Sequence, residues 1–262
     1  MRLFDSHCHL DDRSYRRDLD EVIQRMKSWG CEAAMIAGVN AASSEKAVHL
    51  ADRYDGIYAS VGVHPHDAKS CSEETILKLA KLSRHPKVKA WGEIGLDFNR
   101  MYSPKPDQEH GFARQLDIAD SLDLPVILHE RDSEGRLLEL LKSNWHPGRT
   151  GVVHCFSGTR KELFQYLDLG ICIGITGILT IHKRGRHLRE LVPHIPIDRI
   201  LIETDAPYLT PAPEKNHHRR NEPAFVKSVL FRLAEELNED QERLSEQIWE
   251  NTCRLYGISG SE

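Results

Sequence analysis

Short apolar runs alternate with helical periodicities from residue 3 to beyond residue 200. The chain opens on an apolar strand from Leu3 that runs out into polar residues at Asp5-Ser6-His7. Leu19, Val22, Ile23 and Met26 then fall at i, i+3, i+4 and i+7, which predicts a helix that Gly30 stops. The pattern continues with a strand over 33–39, a helix over 43–54, a strand over 57–63, a helix over 73–84, a strand over 88–94 and a longer helix over 107–122. Further strands are expected at 125–128, 151–153, 170–173 and 199–202, with helical segments between them. From Pro223 onward Val226, Val229, Leu230, Leu233 and Leu237 form one apolar stripe. About eight strands, each followed by a helix or a helix-bearing loop, predict an α/β fold: a (β/α)8 TIM-type barrel with additional C-terminal helices, as a single domain over 1–262. An open doubly wound parallel sheet shares the alternation and is the second fold that the pattern allows.

Composition narrows the class. With 262 residues, 40% hydrophobic and 29% charged, the chain has enough apolar material for a large core and is unlike a disordered one. No apolar run approaches a membrane span, and the chain enters Asp5 and His7 without a signal-peptide core, so the expectation is a cytoplasmic protein with no membrane partner. Cys8, Cys31, Cys71, Cys155, Cys172 and Cys253 show no Cys-x-x-Cys spacing, which predicts reduced, mostly buried thiols. A formal net charge of -5 argues against a surface that coats nucleic acid as a whole and leaves room for local basic patches.

The candidate chemistry lies at strand ends. His7 and His9 are two apart in a strand, so both imidazoles face one side, as metal ligands require. Glu93, His129, His154 and Asp205 each fall near the carboxyl end of a later strand. In a parallel barrel those ends open on the face that carries the active site, so six ligands from five strands can converge without being sequence neighbours. His49, His85, His110, His146, His187 and His194 fall in predicted helices or ordinary loops and read as surface residues.

Several motifs carry a resemblance. Asp5-Ser6-His7-Cys8-His9-Leu10, Val63-His64-Pro65, Gly92-Glu93-Ile94-Gly95-Leu96-Asp97, His154-Cys155-Phe156-Ser157-Gly158, Glu203-Thr204-Asp205-Ala206-Pro207-Tyr208-Leu209 and Arg220-Asn221-Glu222-Pro223 stand in order along the chain. Together they resemble the TatD family of metal-dependent deoxyribonucleases, in the amidohydrolase-like superfamily. The resemblance implies two divalent ions: one on His7, His9 and Asp205, a second on His129 and His154, and Glu93 bridging them. It also implies a metal-activated hydroxide as nucleophile, with Asp205 accepting or relaying its proton and Glu93 holding the pair together. Four imidazoles and two carboxylates suit zinc or manganese, and members of the family are described as magnesium-dependent. His64, Arg131, Arg220 and Asn221 are the expected substrate contacts, and Asp97 is expected to orient a neighbour.

The loops on the same face are basic: Arg13, Arg16 and Arg17, Arg100 and Lys105, Arg131, His182-Lys183-Arg184-Gly185-Arg186 and His217-His218-Arg219-Arg220. Such a rim suits a polyanionic substrate, and Phe98, Tyr102, Phe156 and Tyr208 beside it are of a type that stacks on bases. Together with this rim, the resemblance implies hydrolysis of DNA phosphodiesters as a 3'-5' exonuclease on single strands or DNA ends, with DNA as partner and no obligate protein partner. Other readings use the same ligands: a small-molecule amidohydrolase or esterase, an aminoacyl-tRNA deacylase, or a non-catalytic metal- or nucleic-acid-binding protein.

Overall fold

The structure, a computed structural model, describes residues 1–259. Eight strands follow one another in chain order around a single sheet: β1 (Leu3–Cys8), β2 (Cys31–Ile36), β3 (Ile57–Val61), β4 (Val88–Asp97), β5 (Val126–Arg131), β6 (Gly151–Val153), β7 (Cys172–Ile175) and β8 (Ile200–Ile202). The pairs β1–β2, β3–β4, β4–β5, β5–β6 and β7–β8 are parallel. Just past β8, Asp205 N donates to His7 O of β1 at 3.0 Å, and His9 N, just past β1, donates to Ala206 O at 2.7 Å, which brings the last strand back to the first. This is the expected TIM-type barrel. The helices between strands are α1 (Leu19–Ser28), α2 (Ala41–Arg53), α3 (Glu73–Leu82), α4 (Lys105–Ser121), α5 (Arg136–Asn144), α6 (Arg160–Asp168) and α7 (Arg186–Leu191). The C-terminal stripe forms α8 (Val226–Leu237) and α9 (Gln241–Tyr256). Among the described residues, no helix is long and apolar enough to cross a membrane.

Side-chain caps start several helices. Asn40, Ser72 and Asp240 accept backbone N–H groups from the first turns of α2, α3 and α9. Thr159 and Glu162 form a reciprocal capping box at α6. Strand bounds differ from expectation in two informative places. β4 and β5 run on to Asp97 and Arg131, because Gly95, Leu96 and Asp97 pair with His129, Glu130 and Arg131. That close pairing needs Gly95, where a Cβ would run into the His129 carbonyl. Glu93 and His129 therefore sit inside their strands rather than at their tips. β7 starts at Cys172 rather than residue 170, since Gly170 N and Ile171 N still bond back to Leu167 O and Tyr166 O at the end of α6.

The residues cluster into two compact units, one comprising 1–36, 55–57 and 173 onward, the other 37–54 and 58–172. The single-domain expectation spans both, and its last three positions, 260–262, lie outside the described residues. In the first unit every residue of β1 is buried. Phe4 packs on Trp249 and Tyr256 of α9, with ring centroids 5.8 and 6.1 Å away. Asn251 of α9 donates to Ile197 O and Ile200 O at 2.7 and 3.0 Å, and Tyr256 Oη to Ser6 O at 3.0 Å.

In the second unit α4 lies against β4 and carries two buried glutamines seven residues apart, hence on one face. Gln108 accepts from Asp97 N at 2.8 Å and donates to Asp97 O at 3.1 Å. Gln115 accepts from Val63 N at 2.7 Å and donates to Val63 O at 3.0 Å. The Gln115 oxygen also accepts the Trp91 indole N–H at 3.2 Å. Each amide thus satisfies both backbone groups of one residue, Asp97 at the end of β4 and Val63 just beyond β3, and fixes it. Gln115→Ala would strand the Val63 peptide and the Trp91 indole in a dry interior, and should lower stability by about 2–4 kcal/mol. Denaturant titration followed by circular dichroism measures this, and a loss below half a kcal/mol, roughly that of a surface substitution, would refute the assignment.

Candidate metal centre

In the first unit, His7 and His9 leave β1 on one side and Asp205 follows β8 by three residues. His7 Nε2 lies 3.3 Å from His9 Nε2, and Asp205 Oδ1 lies 3.8 and 3.4 Å from those two nitrogens. Strand alternation places Cys8 away from this cluster: it is buried with Sγ 3.3 Å from Met35 O. Asp205 adopts φ +56°, a left-handed backbone with which Asp copes better than most residues, and which accompanies its N–H bond to His7 O. Three donor atoms within 3.8 Å of one another, two imidazole nitrogens and a carboxylate oxygen, fit a cation of the kind that imidazole and carboxylate ligate.

Buried polar residues brace this half. The Asp5 carboxylate accepts Thr204 N at 2.8 Å and Thr204 Oγ1 at 2.5 Å, tying β1 to the turn that carries Asp205. Complete burial raises the Asp5 pKa to about 8, against the lowering effect of the Thr204 bonds. Ser6 Oγ donates to Glu203 Oε2 at 3.3 Å, and Gly174 leaves the space that this carboxylate fills.

The second unit surrounds one carboxylate oxygen with three imidazoles. Glu93 Oε1 lies 2.5 Å from His129 Nδ1, 3.5 Å from His64 Nε2 and 3.8 Å from His154 Nε2. His64, Glu93 and His129 offer ligand atoms that all lie within 4.8 Å of one another. The two histidines respond oppositely to burial. Desolvation lowers the His64 pKa to about 4, outweighing the attraction of Glu93. For His129 burial also works against the charged ring, yet Glu93 on one side and Asp97 on the other overcome it and raise the pKa to about 9. Since His64 Nδ1 accepts His66 N at 3.0 Å, the neutral His64 ring carries its proton on Nε2, facing Glu93.

Asp97 behaves as the orienting residue that the sequence suggests. It is buried, its Oδ2 lies 2.7 Å from His66 Nε2 and 3.5 Å from His129 Nε2, and its Oδ1 accepts Asn99 N and Arg100 N at 2.9 and 2.8 Å. Burial raises its pKa, but the bonds from His129, His66 and Arg100 prevail and hold it well below the usual carboxylate range. His66 was not among the expected site residues. The signal was its place two residues after His64 in a loop following β3, a spacing that the sequence repeats from His7 and His9.

Two expected substrate contacts are engaged within the protein. Asn221 is fully buried: its amide donates to Thr204 O at 2.9 Å and Tyr208 O at 2.6 Å and accepts Glu222 N at 2.9 Å, so its hydrogen-bonding capacity is spent on the loop that holds Asp205. The Arg220 guanidinium is gripped by Asp18 at 2.8 and 2.5 Å and Glu222 at 3.0 Å and lies over the Tyr15 ring, so two carboxylates balance the charge that a phosphate would need. The side-chain bond to Asp18 raises its pKa further above an already high value. Arg131 is exposed at the end of β5, and His64 is buried beside Glu93. Of the expected stacking aromatics, Phe156 is buried against Tyr166, whereas Tyr102 and Tyr208 are exposed. His49, His110, His146, His187 and His194 are exposed as expected, and His85 is half-buried.

Residues 4–257 match the family described as TatD related DNase. The chain is 42% identical over 258 residues to a protein of Klebsiella pneumoniae (strain 342) named 3'-5' ssDNA/RNA exonuclease TatD, covering 98% of each. It is 43% identical over 260 residues to a protein of the same name from Erwinia billingiae (strain Eb661), covering 98% of this chain and 99% of that one. The crystal structure of YjjV, a TatD homologue of Escherichia coli K12, superposes with a TM-score of 0.89 at 30% identity, over 98% of this chain and 99% of the other. A TatD family hydrolase from Entamoeba histolytica gives 0.87 at 26% identity, over 99% of both chains. Matched over residues 4–257 and 42% identical over nearly its full length to a relative of that family, the chain belongs to the TatD-related DNase family.

Proposed function

We propose that this protein is a metal-dependent 3'-5' exonuclease that hydrolyses phosphodiester bonds of single-stranded DNA and RNA. The observation that carries the reading is the gathering of His7, His9 and Asp205 in one unit and Glu93, His129 and His154 in the other, all in the carboxyl-terminal parts or extensions of strands of one parallel sheet. In this reading His7, His9 and Asp205 would hold one divalent ion and His129 and His154 a second, with Glu93 as a ligand common to the site. Four imidazoles favour zinc or manganese over magnesium. Bound ions of this kind supply Lewis acidity to a phosphoryl oxygen and lower the pKa of a water towards about 7.

The chain's own residues supply the rest. Asp205, partly open and held by its own backbone bond to β1, is placed to take a proton at Oδ1. His64, kept neutral with its proton on Nε2, is a hydrogen-bond donor that burial prevents from becoming a competing cation. Arg131, exposed at the end of β5, is the proposed phosphate contact. Asn221 acts at a distance by holding the loop behind Asp205, and Arg220 ties its own segment to Ser14 and Asp18. The protein is proposed to act as one metal-dependent hydrolase domain in the cytoplasm.

Metal analysis of the purified protein, followed by digestion of end-labelled single-stranded DNA and RNA with each divalent ion, tests the activity directly. A ladder shortening from the 3' end is expected, and release from the 5' end would overturn the polarity. Glu93→Ala should reduce kcat/KM by well over about a hundredfold, since even an outer partner of a ligand is worth roughly 10–100-fold. Wild-type turnover by that variant would end the mechanism. His9→Ala should deplete one ion per chain and Glu93→Ala both; equal depletion by the two variants in metal analysis would contradict the shared-ligand assignment. Arg220→Ala should leave metal content and KM near wild type and lower stability by about 1–2 kcal/mol, the range for a partly exposed bidentate ion pair. A large rise in KM with unchanged melting would return Arg220 to the substrate.

A further inference from the structure

Outside the ligand cluster, one side chain stands out for combining exposure with restraint. Tyr102 leaves 59% of its surface open, although its loop between β4 and α4 is pinned on both sides. On one side Asp97 Oδ1 accepts Asn99 N and Arg100 N. On the other, buried Ser103 donates from Oγ to His66 O at 2.9 Å and accepts Lys69 N at 3.2 Å, and Gln108 donates to Ser103 O at 2.8 Å. An exposed aromatic ring on a fixed loop loses little further entropy when something covers it.

Beneath Tyr102 lies His66, with centroids 4.8 Å apart at 81°, and His66 is itself held by Asp97 at 2.7 Å. The His66 ring meets His64 at 4.3 Å, and His64 meets His129 at 4.4 Å. A continuous file of rings therefore runs from the imidazoles around Glu93 out to an open tyrosine face. Arg100 and Lys105, on either side of Tyr102 in sequence, are exposed, and Lys105 lies over Phe98 at 4.2 Å, covering the alternative aromatic. Phe156 is buried, and Tyr208 stands off its own histidine neighbour at 6.1 Å.

We infer that the Tyr102 ring, backed by His66, is the platform on which a nucleobase near the cleaved end of a single strand stacks. The inference rests on the nucleic-acid reading given above and deepens it. Stacking needs an exposed π-face of fixed orientation near the reacting groups, with cations beside it for the backbone, and it accepts every base. Inside a duplex both faces of each base are covered by its neighbours and only the end pair offers a face, so the platform favours single strands.

The test compares KM for a fluorescent single-stranded oligonucleotide cut by wild type, Tyr102→Ala and Tyr102→Phe. Loss of one base–aromatic stack should raise KM for Tyr102→Ala about 5- to 150-fold, with Tyr102→Phe within about twofold of wild type. Abasic residues placed in turn at the last three positions should, at one position, raise the wild-type KM by the same factor and add nothing to Tyr102→Ala, because the pair acts as a unit. A wild-type KM for Tyr102→Ala, independent losses from variant and abasic site, or a Phe variant as weak as Ala would each overturn the platform while leaving the nuclease intact. Failure of wild type to cut any oligonucleotide with any ion would instead remove the nuclease reading, and the platform with it.

Discussion

A buried carboxylate has to be compensated, and around Glu93 much of the second unit is arranged to do so. An ionised acid in a dry interior costs several kcal/mol unless partners surround it. Three imidazole nitrogens stand within 3.8 Å of one Glu93 oxygen, and the nearest ring, His129, has Asp97 on its far side. Acid and imidazole then alternate from Glu93 through His129 and Asp97 to His66. That alternation explains why two buried histidines shift in opposite directions: His129 lies between two acids, while His64 has only Glu93 to offset its desolvation. The same crowding of lone pairs and negative charge is what a divalent cation would relieve.

The scaffold supplies the rigidity that such a cluster demands. Gln108 and Gln115 on one face of α4 hold the peptides of Asp97 and Val63, and so fix the residues on which Glu93 depends. In the first unit Thr204 and Asn221 do the equivalent for Asp205, through Asp5 on one side and the Tyr208 carbonyl on the other. Both halves thus use buried polar side chains to close backbone groups left open where strands end, and satisfied networks of this kind hold ligands to the narrow tolerances that catalysis needs.

Much of the fold was legible in the chain. The alternation of apolar runs and helical stripes marks all eight strands. Bounds were less legible where pairing between strands extends an element: β4 reaches Asp97 only because Gly95 lets β5 approach, a fact about two segments more than thirty residues apart. Glu93 and His129 consequently lie deeper in their strands than the local pattern suggests. The candidate ligands were readable because His7 and His9 share a strand face and the others recur near strand ends, a regularity of periodicity and position.

Residue type and order along the chain determined which donors are available and on which strands they ride, since two-residue alternation and strand order follow from local pattern. What each polar side chain touches was decided by tertiary structure alone. Arg220 meets Asp18 across 202 positions, and Asn221 closes on Thr204 across 17, so both brace a loop although their composition and setting suggested a substrate contact. His66 joined the cluster through Asp97, 31 positions away. Hydrogen-bond partners and charge balance depend on distances of a few ångströms between segments remote in sequence, and periodicity carries no information about those distances until the barrel brings the segments together.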